Sequence, residues 1–193
     1  MGPAWPLTPS NSFIDVEKQG LECNTRLLSE NGWRGFLMNG KGYLKFDVKE
    51  EFITAENINE LFKKYNVPTN FDLLSIDLDF NDYWIWKAIK GYSPRVVVIE
   101  YNASIPVNVS KVIKYDPKGK WDGTNYFGAS LLALVKLAKK KGYTLIGCDN
   151  SGINAFFVRD DMVKDNFKVR SIEELYKPPA YGYRPSDKEM IDV

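Results

Sequence analysis

Short apolar runs rich in Val, Ile and Phe alternate along the chain with stretches whose apolar residues recur at helical spacing. That alternation is the pattern of an α/β architecture built around a mostly parallel sheet. The strands it predicts are SFIDV, GFLMN, a short third near LKFDV or EEFIT, FDLLSIDLD, RVVVIEY, YTLIGCD and INAFFVRD. FDLLSIDLD and RVVVIEY carry apolar side chains at successive positions, as strands covered on both faces do, and belong at the centre of the sheet. Between them ECNTRLLSENG sets Leu27 and Leu28 on one side of a helix that stops at Asn31-Gly32. TAENINELFKKYNVP opens at Thr54, aligns Ile58, Leu61 and Phe62 on one stripe and is halted by Pro68. TNYFGASLLALVKLAKKKG is the longest helical pattern, with Phe127, Leu131, Leu134, Val135 and Ala138 at helical spacing. Its Lys136, Lys139, Lys140 and Lys141 gather near the C-terminus, where they complement the helix dipole and keep that face solvated, or else form an anion-binding patch.

Residues 1–11, with Pro3, Pro6 and Pro9, read as an extended arm, and residues 177–193, KPPAYGYRPSDKEMIDV, as an extended tail. One α/β domain over 12–176 remains, a size suited to a single hydrophobic core. Hydrophobic residues at 44% and charged residues at 26% exclude wholesale disorder and a collagen-like repeat. A net charge of +1 removes the general electrostatic attraction to nucleic acid or to an anionic membrane. The sequence holds no histidine, which excludes Ser-His-Asp hydrolysis, Cys-His proteolysis and histidine metal sites. Cys23 and Cys148 are too few for a disulfide framework and read as free thiols. The N-terminal residues form neither a basic start nor an apolar stretch, and no apolar run approaches the ~18 residues of a membrane span. A soluble cytoplasmic protein is expected, in which the Asn-X-Ser matches at Asn102 and Asn108 are chance.

Ligands of open α/β sheets bind outside the carboxyl ends of the strands, so those ends hold the candidate chemistry. The first strand carries Asp15 and runs through a turn with Gly20 to Asn24 and Thr25, which open a helix. Such a turn brings backbone N–H groups towards a ligand, or is an ordinary connection. The fourth strand ends in IDLDFNDYWIWK, where period-two geometry puts Asp77 and Asp79 on one side and Asn81 and Asp82 at a helix start. One reading makes Asn81 or Asp82 an N-cap and Asp77 an acceptor for backbone N–H groups. The other makes Asp77 and Asp79 a divalent-metal or substrate site. Glu100, at the tip of RVVVIEY, would complete an acidic floor with Asp77 and Asp79. Tyr83, Trp84, Trp86, Tyr101, Trp121, Tyr126 and Phe127 either wall a pocket there or belong to the core.

ECNTRLLSENGWRGFLM, FDLLSIDLDFNDYWIWKAI and PRVVVIEYNASIP, in this order, resemble the FkbM-type branch of the class I S-adenosylmethionine-dependent methyltransferases. The resemblance covers roughly residues 12 to 160 and is most specific in SIDLDFNDYWIWKAI. It implies a Rossmann-like sheet of seven strands with helices on both faces and a final antiparallel strand, INAFFVRD. It also implies S-adenosylmethionine as cofactor, near Asp15, Gly20, Asn24, Asn39 and Asp77. Asp77 and Asp79 would be the catalytic pair, and a divalent ion such as Mg²⁺ would fall to Asp77, Asp79 and Glu100. The chain departs from the family in placing Glu17 and Lys18 where small residues are expected, and Asn39 where the family has an acid. The segment after Asn39 is also short for the helix usual there. Two functions are therefore expected as alternatives. One is O-methyl transfer to the hydroxyl of a small molecule or glycan. The other is an inactive methyltransferase-fold domain that binds a protein partner or self-associates through its terminal arms.

Overall fold

The apolar runs form one sheet in a computed structural model that describes residues 12–17, 24–39, 48–164 and 166–193. The strands are β1 (Ser12–Glu17), β2 (Arg34–Asn39), β3 (Val48–Glu50), β4 (Leu73–Asp77), β5 (Val96–Glu100), β6 (Lys111–Val112), β7 (Tyr143–Cys148), β8 (Asn154–Arg159) and β9 (Ile191–Asp192). Seven of them make a mixed sheet in the order β3-β2-β1-β4-β5-β8-β7, while β6 and β9 pair as a separate ribbon. All pairs from β3 to β5 are parallel. β8 runs antiparallel to both β5 and β7, as the resemblance implies for INAFFVRD. β4 and β5 lie in the middle of the sheet, as their unbroken apolar runs predict.

One face of this sheet is uniformly apolar. Ile14, Val16, Leu74, Ile76, Val97, Ile99, Ala155 and Phe157 are shut off from solvent. They join a core with residues of α2 (Ile58–Lys64), α3 (Asp82–Ala88) and α4 (Leu131–Lys141). Each large side chain so buried contributes about 1.5–3 kcal/mol. Ile58, Leu61 and Phe62 are the buried stripe of α2. Thr54 and Asn57 exchange side-chain to backbone bonds ahead of it, Thr54 N–H to Asn57 Oδ1 at 2.8 Å and Asn57 N–H to Thr54 Oγ1 at 3.3 Å. α4 starts later than its apolar spacing predicts, after Ser130, whose Oγ accepts the Ala133 N–H at 3.2 Å. Phe127 precedes the helix and packs in the core instead. Gly142, at φ +80°, ends α4, and Lys141 reaches the Ile89 carbonyl at the end of α3.

The opposite face carries polar side chains within the sheet, Asp15 beside Ser75, both fully buried. α1 (Arg26–Glu30) is a single turn with no buried residue, and Leu27 is 68% exposed, so the predicted Leu27–Leu28 stripe does not enter the core. Two more single-turn helices follow β8, α5 (Asp160–Val163) and α6 (Ile172–Leu175).

Residues 177–193 are extended, and they lie along their own domain. The Tyr101 hydroxyl donates to the Lys177 carbonyl at 2.7 Å, the Ala180 N–H to the Ser151 carbonyl at 2.9 Å, and β9 closes on β6. Gly152 lets this strap approach. Its φ is +70°, and a Cβ there would stand 2.4 Å from the Pro178 oxygen. Gly152→Ala is expected to cost about 1–3 kcal/mol through strain and overpacking, read as a lower urea midpoint together with faster proteolysis within 177–193. An unchanged midpoint would mean that the strap contributes nothing to stability.

The N-terminal arm, Gly20 and Cys23 lie outside the described residues. Among the described residues no helix is long and apolar enough to cross a membrane.

Candidate functional site

The direction of strand winding reverses between β1 and β4, and the crevice outside their carboxyl ends is where such sheets take ligands. β4 ends at Asp77. The chain then turns through Asp79, which adopts the left-handed φ of 59° that few side chains tolerate and Asp tolerates better than most. Asp82 shapes this turn. Fully buried, it accepts the Leu78 N–H through Oδ1 at 2.7 Å. Burial, reinforced by the nearby Asp79 charge and opposed by the Leu78 bond, pushes its carboxyl up to about 7. Asn81 occupies the N-cap position of α3 without capping it, because its side-chain amide donates to the Asp116 carbonyl at 2.7 Å. Neither Asn81 nor Asp82 is therefore the side-chain cap that the sequence suggests.

Asp77, Asp79 and Glu100 are half-buried, and one carboxylate oxygen from each lies within 4.8 Å of the others. The acidic floor expected from the two strand ends is thus assembled across β4 and β5. Like charges this close repel by on the order of 3 kcal/mol per pair at an effective dielectric near 20.

Asp15 does not face the crevice directly. It is fully buried and accepts the Thr25 hydroxyl at 2.8 Å, which fastens the 24–25 turn over the sheet. Asn24 then spans two strands: its Nδ2 donates to Ser75 Oγ at 3.2 Å and its Oδ1 accepts from Asn154 at 3.4 Å. Asn154 is the register partner of Glu100. Asn39 ends β2, one position beyond the partner of Val16, and sits opposite Glu50 of β3. Asp15, Asn24, Asp77, Asp79 and Glu100 thus gather at the carboxyl ends of β1, β4 and β5, with Asn39 at the neighbouring end of β2.

Ser75, Asn102, Asn154 and Tyr181 belong to this region and were not singled out as site residues by sequence reasoning. Ser75 is a polar interruption within the apolar run of β4, and Asn154 opens β8; these were the available signals. Asn102, fully buried, donates to the carbonyls of Asn125 and Phe127 at 2.8 and 2.9 Å and accepts from Ser104, so it fixes the loop after β5. Tyr181 comes from the strap, its ring against Phe127 and Tyr183; burial and then the Glu100 charge push its phenol upward. Tyr83, Trp86, Tyr101 and Phe127 are core residues, while Trp121 is 40% exposed. Cys148 is a free thiol that burial pushes up to about 12, unsuited to nucleophilic work at neutral pH. No family model matches the chain, and no curated protein matches it.

Proposed function

We propose that the protein is a methyltransferase-like α/β protein whose crevice between β1 and β4 receives S-adenosylmethionine and serves methyl transfer to a hydroxyl oxygen. The observation that carries this reading is the position of the Asp77, Asp79 and Glu100 cluster at the point where strand order reverses. The insertion of one antiparallel strand, β8, between β5 and β7 supports reading the sheet as the class I methyltransferase type.

The donor set suits such a cofactor. Asp77 offers a half-buried carboxylate to an ammonium or a hydroxyl, Asn24 is exposed beside it, and Asp15 acts indirectly by holding the 24–25 turn. When bound, S-adenosylmethionine supplies a methyl group already activated by its sulfonium, so the protein's task is alignment, which requires no histidine. Asp77 or Asp79 would accept the proton released by the acceptor hydroxyl as its oxygen gains the methyl group. A divalent ion such as Mg²⁺ would be held by Asp77, Asp79 and Glu100, the oxygen ligands such ions take. The acceptor is a small molecule or a glycan hydroxyl.

A second reading, a scaffold without catalysis, is favoured by the full burial of Asp15. In that case the partner is a protein met through the N-terminal arm or the outer side of the strap, since the strap's inner contacts are spent on its own domain. Thermal unfolding with S-adenosylmethionine and S-adenosylhomocysteine, with and without Mg²⁺, separates the two. A ligand at a hundred times its dissociation constant adds about 2.7 kcal/mol. A saturable upward shift in Tm with both compounds is expected; a flat response at millimolar ligand leaves the scaffold reading.

A further inference from the structure

A cavity of about 350 Å³ opens between the loop after β5, Asn125–Tyr126 and the C-terminal strap, a volume within the range of small-molecule sites. Its wall is apolar where Ile105, Pro106 and Val109 of the loop face Met190 of the strap. Its charge is of one sign: Lys111 and Lys188 line it, and no carboxylate does so among the described residues. The two lysines differ. Lys188 is committed, with its Nζ 2.8 Å from Asp122 and 5.4 Å from the centre of the Tyr126 ring. Lys111 is half-buried, and among the described residues no acid lies within ion-pair reach of it. Even Asp192, its register partner across the β6–β9 ribbon, makes no such pair. Two lysines on the wall, with no carboxylate of the described residues beside them there, give the cavity a positive character that an anion would complement. The neighbouring polar groups are already used: Asn125 Oδ1 accepts the Ser186 N–H, and Ser104 Oγ donates to Asn102 Oδ1.

We propose that this cavity is a binding site for a small organic anion, whose charge pairs with Lys111 and whose short apolar body lies along Ile105, Val109 and Met190. The cavity uses none of Asp77, Asp79 and Glu100, and the proposal stands whether or not the crevice binds S-adenosylmethionine. A carboxylate and a phosphate monoester share the required chemistry, so the probes are hexanoate and hexyl phosphate, with hexanol and inorganic phosphate as the uncharged and the bodiless counterparts. Calorimetric titration of the full chain is expected to show saturable binding of one or both hexyl anions, with hexanol and inorganic phosphate at least about tenfold weaker. The tighter of the two hexyl anions identifies the head group. Lys111→Gln should weaken that binding at least about tenfold, and Lys111→Arg should retain it. Met190→Glu, which adds a negative charge to the wall, should abolish it and provides the test if Lys111→Gln fails to fold. Absence of saturable binding by both hexyl anions at millimolar concentration would overturn the proposal. Affinity unchanged in Lys111→Gln and in Met190→Glu would overturn it equally.

Discussion

Between pH 4 and pH 7 the protein is expected to lose stability through the buried Asp82 carboxyl, which sits beside Asp79. The carboxyl is raised from 3.8 to about 7 in the folded state, by burial first and by Asp79 second. The sign follows from proton counting. Below the unfolded value both states hold the proton and the group contributes no difference. Between the two values only the folded state holds it, so each rise in pH favours unfolding, until the folded carboxyl ionises near 7 and the loss levels off. Its buried Oδ2 has no hydrogen-bond partner among the described residues, and the backbone N–H groups of Leu78, Phe80 and Asp82 offset only part of the cost of burial. Asp82→Asn keeps an oxygen for the Leu78 N–H and removes the titration. Urea unfolding of both proteins at pH 5 and pH 8 checks this. The difference between them should be much larger at pH 8, with the variant the more stable; parallel pH profiles would show that Asp82 does not titrate in this window.

If the protein transfers methyl groups as proposed, Asp77→Asn is expected to lower that transfer by about 10²–10⁴-fold, the range for removing a positioned acid or base. Asp77 closes β4 in register with Glu17 of β1, which puts it at the reversal of strand order, beside Asp79 and Glu100. Asparagine preserves its size and one acceptor oxygen but takes no proton at neutral pH, so cofactor affinity should change far less than turnover. Release of S-adenosylhomocysteine, measured with a hydroxyl compound that the unsubstituted protein methylates, reads the effect, with circular dichroism confirming the fold. Turnover equal to that of the unsubstituted protein would remove Asp77 from the chemistry.

The strands were legible because burial on both faces leaves a direct trace, runs of successive apolar residues such as VVVI in β5. The third strand was legible only to within a few residues, since β3 is an edge of three residues with one neighbour and little pattern to leave. α1 misled for a related reason. Leu27 and Leu28 have helical spacing, yet a single turn presents too little surface to bury them, and Leu27 stays in solvent. The start of α4 turned on one hydroxyl, Ser130, within a longer helical pattern.

The candidate site was legible as strand ends and not as an assembly. Asp77, Asp79 and Glu100 each mark the end of an apolar run, but their mutual approach depends on β4 and β5 pairing in register. The bridge from Asn24 to Asn154 joins residues 130 positions apart, which no local pattern encodes. The C-terminal stretch reads as extended from its prolines. What the composition does not carry is that Tyr101, Ser151 and β6 receive it along its length.

The measurement that bears most directly on the central claim is a ¹⁵N-resolved NMR titration of the full chain with S-adenosylhomocysteine. Saturable shifts are predicted at the amides of Asp15, Asn24, Asp77 and Asp79, around the carboxyl ends of β1 and β4, with those of α4 unmoved. No saturable shift at millimolar ligand, or shifts confined to a different part of the sheet, would contradict a cofactor site at the reversal of strand order.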